Sequence, residues 1–305
     1  MINLYKNCTL CPRECNIDRN SGTGYCGEGS TLNLTRAALH MWEEPCISGS
    51  NGSGTIFFRG CSLKCIYCQN FSIAHNKGGK DISITDFSDI CLNLQKTGAH
   101  NINLVTPTHF VPHIVEGICL AKEKGLSIPV VYNTSGFEKA ETVKLLNGIV
   151  DIFLTDFKYI KSETAKKYSN AEKYVDYAKA SLSEMVKIAP YPVIKNGIMQ
   201  KGVIVRVLLL PDHLIETKMI IKYLYDTYGD NIYISLMNQY TPIKEHPYKN
   251  LNRTVTDYEY KSLIDYAAHL GIKNAFIQKG ETAKESFIPS FDLTGIEQRA
   301  HPADD

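Results

Sequence analysis

Tryptophan is almost missing from this chain: Trp42 is the only one in 305 residues. Excess charge of either sign is missing as well. Thirty-three lysines and arginines face 32 aspartates and glutamates, which leaves no electrostatic footprint for nucleic acid or an anionic membrane. No apolar run is long enough to cross a bilayer, and the stretch Val203 to Leu210 is short and broken by Arg206. The opening Met1-Ile-Asn-Leu-Tyr-Lys-Asn-Cys lacks the apolar centre of a secretion signal, so the sequence reads as cytoplasmic. A phosphate loop is absent too. The glycine-rich Ser48-Gly-Ser-Asn-Gly-Ser-Gly has no Gly-Lys-Ser/Thr at its end, and reads as a turn feeding a strand. Cysteine is absent after residue 119, all ten falling before residue 120. In a reducing compartment such cysteines read as metal ligands and buried thiols rather than disulfides. Cys46, Cys91 and Cys119, which stand apart from any cluster, are expected to be buried thiols.

The remaining seven cysteines form two groups. Cys61, Cys65 and Cys68 lie in Arg59-Gly-Cys-Ser-Leu-Lys-Cys-Ile-Tyr-Cys-Gln, a C-x3-C-x2-C array directly after the apolar strand Thr55 to Phe58. A cubane iron-sulfur cluster usually takes four cysteines, so three predict a 4Fe-4S cluster with one iron open for a reacting ligand. The alternative is a helix stripe of small apolar thiols, against which stand Gly60 and the β-type residues before it. Upstream, Cys8, Cys11, Cys15 and Cys26 occupy a short glycine-punctuated segment and predict a closed tetrahedral site. Zinc holding a small module together and a second iron-sulfur cluster relaying electrons both fit that spacing.

From Thr55 onward apolar runs alternate with amphipathic stretches, the pattern of an α/β fold around a parallel sheet. Strands are expected near 55–59, 102–106, 128–133, 149–155, 203–210 and 231–236. Helices are expected near 85–98, 111–124, 139–147, 168–188, 214–228 and 256–269. Six such units predict a partial (β/α)6 TIM-type barrel over 55–285, preceded by a Cys-rich module and lead-in over 1–54 and followed by a tail over 286–305, frayed from 298.

In this architecture the chemistry belongs at the carboxyl ends of the strands. Those positions hold Thr106 and Thr108, Asn133 to Gly136, Asp156 with Lys158, and Asn238 with Gln239. Asp156 and Lys158 are two apart in extended chain and share a face. Arg206 interrupts an apolar strand and needs a partner. A structural Asp156–Arg206 pair is one reading, and a seat for a charged ligand is the other. His109 and His113 have a metal-clamp spacing interrupted by Pro112. His40, Glu43 and Glu44 precede the glycine-rich turn and are candidates to reach a substrate.

With Tyr67 before its last cysteine, the thiol loop resembles the C-x3-C-x-aromatic-C motif of the radical S-adenosylmethionine (SAM) superfamily. The resemblance implies that Cys61, Cys65 and Cys68 hold the cluster, that Tyr67 lies on the adenine side, and that SAM is cleaved reductively to a 5′-deoxyadenosyl radical that abstracts hydrogen from a substrate. Asn133-Thr-Ser-Gly-Phe and Asp156-Phe-Lys resemble segments of pyruvate formate-lyase activating enzymes, which implies cation and SAM contacts from Asn133, Thr134, Asp156 and Lys158. Asn133 departs from the family in replacing a carboxylate, and Thr106-Pro-Thr-His stands where a Gly-Gly-Glu occurs. The chain most resembles the pyruvate formate-lyase activating enzyme-like group, which shares the amino-terminal cysteines, Thr106-Pro-Thr-His, Asp156-Phe-Lys-Tyr and Met237-Asn-Gln-Tyr. Thr106, Thr108, Arg206 and Gln239 complete the expected cofactor seat, while no residue is singled out as catalytic. The implied oxidoreductase would draw electrons from a donor such as flavodoxin or ferredoxin. Its substrate is a glycyl-radical enzyme, another peptide or a small molecule, with a polypeptide favoured. A non-catalytic iron-sulfur or zinc protein is the reading outside enzymes.

Overall fold

The computed structural model describes residues 2–278 and 289–296. The expected boundary at 285–286 and the segment from 298 onward fall outside these. A ten-stranded sheet forms the centre. In chain order its strands are β1 (Leu32–His40), β2 (Ser53–Phe58), β3 (Lys80–Ile82), β4 (Ile102–Val105), β5 (Val130–Thr134), β6 (Ile152–Asp156), β7 (Val193–Lys195), β8 (Ile198–Leu208), β9 (Tyr233–Met237) and β10 (Ala275–Ile277). They lie in the order β10-β9-β8-β6-β5-β4-β2-β1-β3, with β7 paired to β8 alone. Neighbours from β2 across to β10 run parallel. At the other edge β1 and β3 are antiparallel. The result is a mixed α/β fold with a mostly parallel, open sheet, as the alternation of strands and helices predicts.

The helices are α1 (Pro45–Ser48), α2 (Phe71–Ala74), α3 (Ile84–Lys96), α4 (Val111–Glu123), α5 (Ala140–Lys144), α6 (Ser162–Ser169), α7 (Tyr174–Ile188), α8 (Leu214–Tyr228) and α9 (Asp257–His269). The single helix expected over 168–188 is two, because Asn170 takes a left-handed conformation (φ 46°) that ends α6. A short amide side chain tolerates that region better than most. None of the described helices is long and apolar enough to cross a membrane.

Period-two alternation assigns each strand residue to one of two cores. Tyr132, Phe153 and Val205 pack into the main core with helical residues, whereas Val131, Leu154 and Ile204 face the concave side with Cys46 and Ile47. Thus α1 enters the barrel and plugs its floor, where Asn101 donates from Nδ2 to the Ile47 carbonyl at 2.8 Å. Asn133, Asp156 and Arg206 lie two residues further along the same strands, on the same face. They therefore stand above that apolar floor.

The amino-terminal segment is fastened to the barrel at several points. Thr142 donates to the Leu10 carbonyl at 2.7 Å, and Lys139 pairs with Glu14 at 2.6 Å. Residues 32–40, which the sequence places in a lead-in, are β1 of the central sheet.

Candidate functional site

Strand β2 ends at Phe58 and the chain turns at Gly60, where φ is 86°. Any side chain there would be strained, and its Cβ would lie 2.6 Å from Glu28 Cγ and 2.9 Å from the Cys26 carbonyl. The amino-terminal module is therefore packed directly behind the thiol loop. Arg59 grips Glu28 at 2.8 and 3.1 Å from the neighbouring position.

Beyond Gly60 the backbone wraps the first thiol, with the N–H groups of Leu63 and Lys64 donating to Cys61 Sγ at 3.3 and 3.4 Å. The Ser169 hydroxyl donates to Cys65 Sγ at 3.1 Å. Burial raises the pKa of the Cys61 and Cys68 thiols, so a metal binding there must displace their protons. The loop is tied to α6 by the Ile66 N–H, which donates to the Tyr168 carbonyl at 2.9 Å. Arg13 adds a fork: it donates to the carbonyls of Ser62 (2.8 Å), Leu63 (3.4 Å), Ser169 (3.1 Å) and Asn170 (2.7 Å).

All three thiols line a cavity of about 230 Å³ at the carboxyl ends of the parallel strands. Tyr67, Thr106, Asn133, Thr134, Asp156, Lys158, Arg206 and Gln239 line it too. Of the predicted seat, only Thr108 is elsewhere. Its hydroxyl donates to the buried Glu138 at 2.5 Å, and the Thr134 hydroxyl shares that acceptor, because the chain after β4 turns away into a 3-10 turn over Thr108–Phe110. Thr106 takes φ 59°, an uncommon conformation for a β-branched residue and one that clusters at functional sites. Lys158 and Asp156 pair at 2.5 Å. Burial opposes the Lys158 charge, but the Asp156 carboxylate outweighs it and the pKa rises.

Arg206 lines the cavity, but its ion pair is not the one with Asp156 that the sequence offered as a structural reading. Its partners are Glu44, which takes Nε at 2.8 Å and Nη2 at 2.7 Å, and Glu43, on the same Nη2. The direct pair with Asp156 is replaced because the turn before α1 carries both glutamates into the barrel. Glu43, His40 and the exposed Trp42 also line the cavity. Burial opposes ionisation of Glu44, yet Arg206 keeps its carboxyl below the usual range.

The histidine clamp does not form. His109 Nε2 lies 2.6 Å from the Arg59 carbonyl oxygen, and His113 Nδ1 is 2.6 Å from Tyr5 Oη. Burial, with Arg19 nearby, lowers them to about 3 and about 4, so both rings are neutral. Cys46 and Cys91 are buried as expected, but Cys119 is exposed on α4. A thiol at that position of the helix points away from the sheet, which composition alone does not reveal.

The donor set fits the cluster that the spacing predicts. Three thiols line one cavity, and hydrogen-bond donors are aimed at the sulfurs of Cys61 and Cys65, as they are at ligating sulfurs of clusters. Three is also the number of cysteines that leaves one iron of a 4Fe-4S cluster open. At the amino terminus Cys15 and Cys26 flank Gly24, both sulfurs 3.5 Å from where its Cβ would be. Neither zinc nor a second cluster is shown.

Sequence reasoning missed Arg13, Ser169 and the pairing of Glu43 and Glu44 with Arg206. Only the charge in a core strand signalled the last.

Residues 55–199 match the family model of the radical SAM superfamily. An uncharacterized protein of Methanocaldococcus jannaschii is 30% identical over 278 residues, covering 87% of this chain and 75% of its own. Among solved structures, Streptococcus suis SuiB bound to the precursor peptide SuiA gives a TM-score of 0.48 at 13% identity, over 73% of this chain and 47% of that one. The FeFe-hydrogenase maturase HydG of Carboxydothermus hydrogenoformans gives 0.49 at 11% identity, over 74% and 53%. This chain spans about half the length of those two proteins.

Proposed function

The chain belongs to the radical SAM superfamily, and from that premise we propose that it is an activating-enzyme-like member which abstracts hydrogen from a polypeptide. The observation that carries the reading is the shared cavity of Cys61, Cys65 and Cys68 with Tyr67, Asn133, Asp156 and Lys158. When bound, the 4Fe-4S cluster supplies the electron that splits a carbon–sulfur bond of SAM and yields a 5′-deoxyadenosyl radical, the electron coming from a donor such as flavodoxin or ferredoxin.

The protein's own part is to hold and exclude. Cys61, Cys65 and Cys68 would bind the cluster. Lys158, whose ammonium Asp156 fixes in place, would meet the carboxylate of SAM. Tyr67 and Gln239 would hold its adenine side, and the plug of Cys46 and Ile47 would keep water from entering through the floor. The open sheet, with β10 and β3 at its two edges, gives an extended peptide a lateral route to the cavity. Asp156-Phe-Lys and Thr134 support kinship with the enzymes that activate glycyl-radical proteins, against which Asn133 stands as a departure, and a cytoplasmic location goes with that role. The amino-terminal thiols are a second candidate metal site. In a Cys61/Cys65/Cys68 triple mutant, retained zinc assigns them a structural ion, and retained iron with sulfide a relay cluster.

Two measurements test the function. Reconstituted protein with a strong reductant is expected to convert SAM to 5′-deoxyadenosine, and Cys65→Ala to abolish this; undiminished cleavage in the mutant overturns the assignment. With deuterated proteins, peptides and metabolites, label is expected to reach 5′-deoxyadenosine from a polypeptide. Transfer only from a small molecule overturns the substrate choice.

A further inference from the structure

Cys65 is the only one of the three loop thiols that receives a side-chain hydrogen bond among the described residues. Its donor, the Ser169 hydroxyl at 3.1 Å, is itself buried, and so are the next two groups in line. Tyr159 Oη lies 2.7 Å from Ser169 Oγ, and Tyr67 Oη lies 2.8 Å from Tyr159 Oη. Three hydroxyls thus connect a cavity-lining ring to a sulfur of the loop.

Each hydroxyl has one proton to donate, and a thiolate at Cys65 only accepts. The Ser169 proton therefore makes the bond to sulfur, and the Tyr159–Ser169 contact is then made by the Tyr159 proton. The Tyr159 hydroxyl is also placed as donor to Tyr67 Oη, so its one proton serves two oxygens, and Ser169 keeps its aim at sulfur when that proton points to it. The backbone holds it in place, because Ser169 is the last residue of α6, ended by left-handed Asn170, and Arg13 clamps the carbonyls of both to those of Ser62 and Leu63.

We infer that Ser169 is a positioning residue that sets the reduction potential of the cluster through Cys65, and that Tyr159 helps keep its hydroxyl aimed at the sulfur. This rests on the reading of Cys61, Cys65 and Cys68 as cluster ligands. A hydrogen bond to a ligating sulfur stabilises the added negative charge of the reduced state and so raises the potential, in a site where burial works the other way. The chain also gives whatever lies against Tyr67 a hydrogen-bonded connection to the cluster.

The test is an EPR-monitored redox titration, without SAM, of anaerobically reconstituted wild type, Ser169→Ala, Ser169→Thr and Tyr159→Phe. Ser169→Ala is expected to shift the midpoint to a more negative value, Ser169→Thr to restore it, and Tyr159→Phe to shift it in the same direction by less, since Ser169 can still donate. Wild-type potential in a fully loaded Ser169→Ala protein overturns the inference and leaves the cluster assignment standing. Wild-type protein that takes up no cluster overturns the assignment itself. Should Ser169→Ala fail to load, Tyr159→Phe decides, and an unchanged midpoint there overturns the inference.

Discussion

Both carboxylate oxygens of Glu44 lie within 2.8 Å of the Arg206 guanidinium, although 162 positions separate the two residues. The contact joins the turn before α1 to β8, and Glu43 adds a second carboxylate to the same cation. Removing one partner of a buried pair leaves uncompensated charge, a loss of about 3–5 kcal/mol. Arg206→Met is expected to destabilise by that order at pH 7 in urea unfolding. The direction with pH follows from Glu44, whose folded pKa is depressed below 4.5. Its contribution is present above the unfolded value and is lost as pH falls through the folded one. The gap between wild type and Arg206→Met therefore narrows as pH falls below 4.5, and a gap independent of pH would exclude the ionic account.

Glu138 behaves in the opposite sense. Burial raises its pKa to about 7, against the hydroxyls of Thr108, Thr134 and Tyr132, which favour the ionised form. A folded pKa above the unfolded one means stability complete below pH 4.5 and lost as pH climbs to 7, by roughly 3 kcal/mol for a rise of this size. Glu138→Gln, neutral throughout, is expected to flatten the stability profile over that interval. An identical slope in the two proteins would assign the pH dependence elsewhere.

The expected parallel strands were legible because each carries an apolar run with a polar residue at its carboxyl end. β3, β7 and β10 were not, being three residues each and too short to show a period. At the site, the thiol loop and the Asp156–Lys158 pair were readable because both are local in sequence. Glu44 with Arg206 and Ser169 with Cys65 are not local: 162 and 104 positions lie between their members. Periodicity reports which face a residue occupies, and it carries no information on which distant side chain meets it there.

Lys158 offers the direct test of the ligand seat. It lines the cavity with Asp156 as counter-charge, so Lys158→Ala removes the donor proposed for a charged ligand group and leaves all three thiols in place. SAM binding, measured by calorimetry on reconstituted protein, is expected to weaken by about 1.5–3 kcal/mol with iron content unchanged. Equal affinity would make the pair purely structural.

Arg13 is the amino-terminal module's grip on the thiol loop. Its planar fork reaches four carbonyls on two segments, Ser62–Leu63 and Ser169–Asn170. A lysine carries the same charge on a single nitrogen and cannot span both. Arg13→Lys is therefore expected to cost about 1.5–3 kcal/mol of stability. It should also speed hydrogen exchange at the Leu63 and Lys64 amides, which bond Cys61 Sγ. Charge alone would predict no effect, so wild-type exchange at those two amides in Arg13→Lys would rule out the clamp.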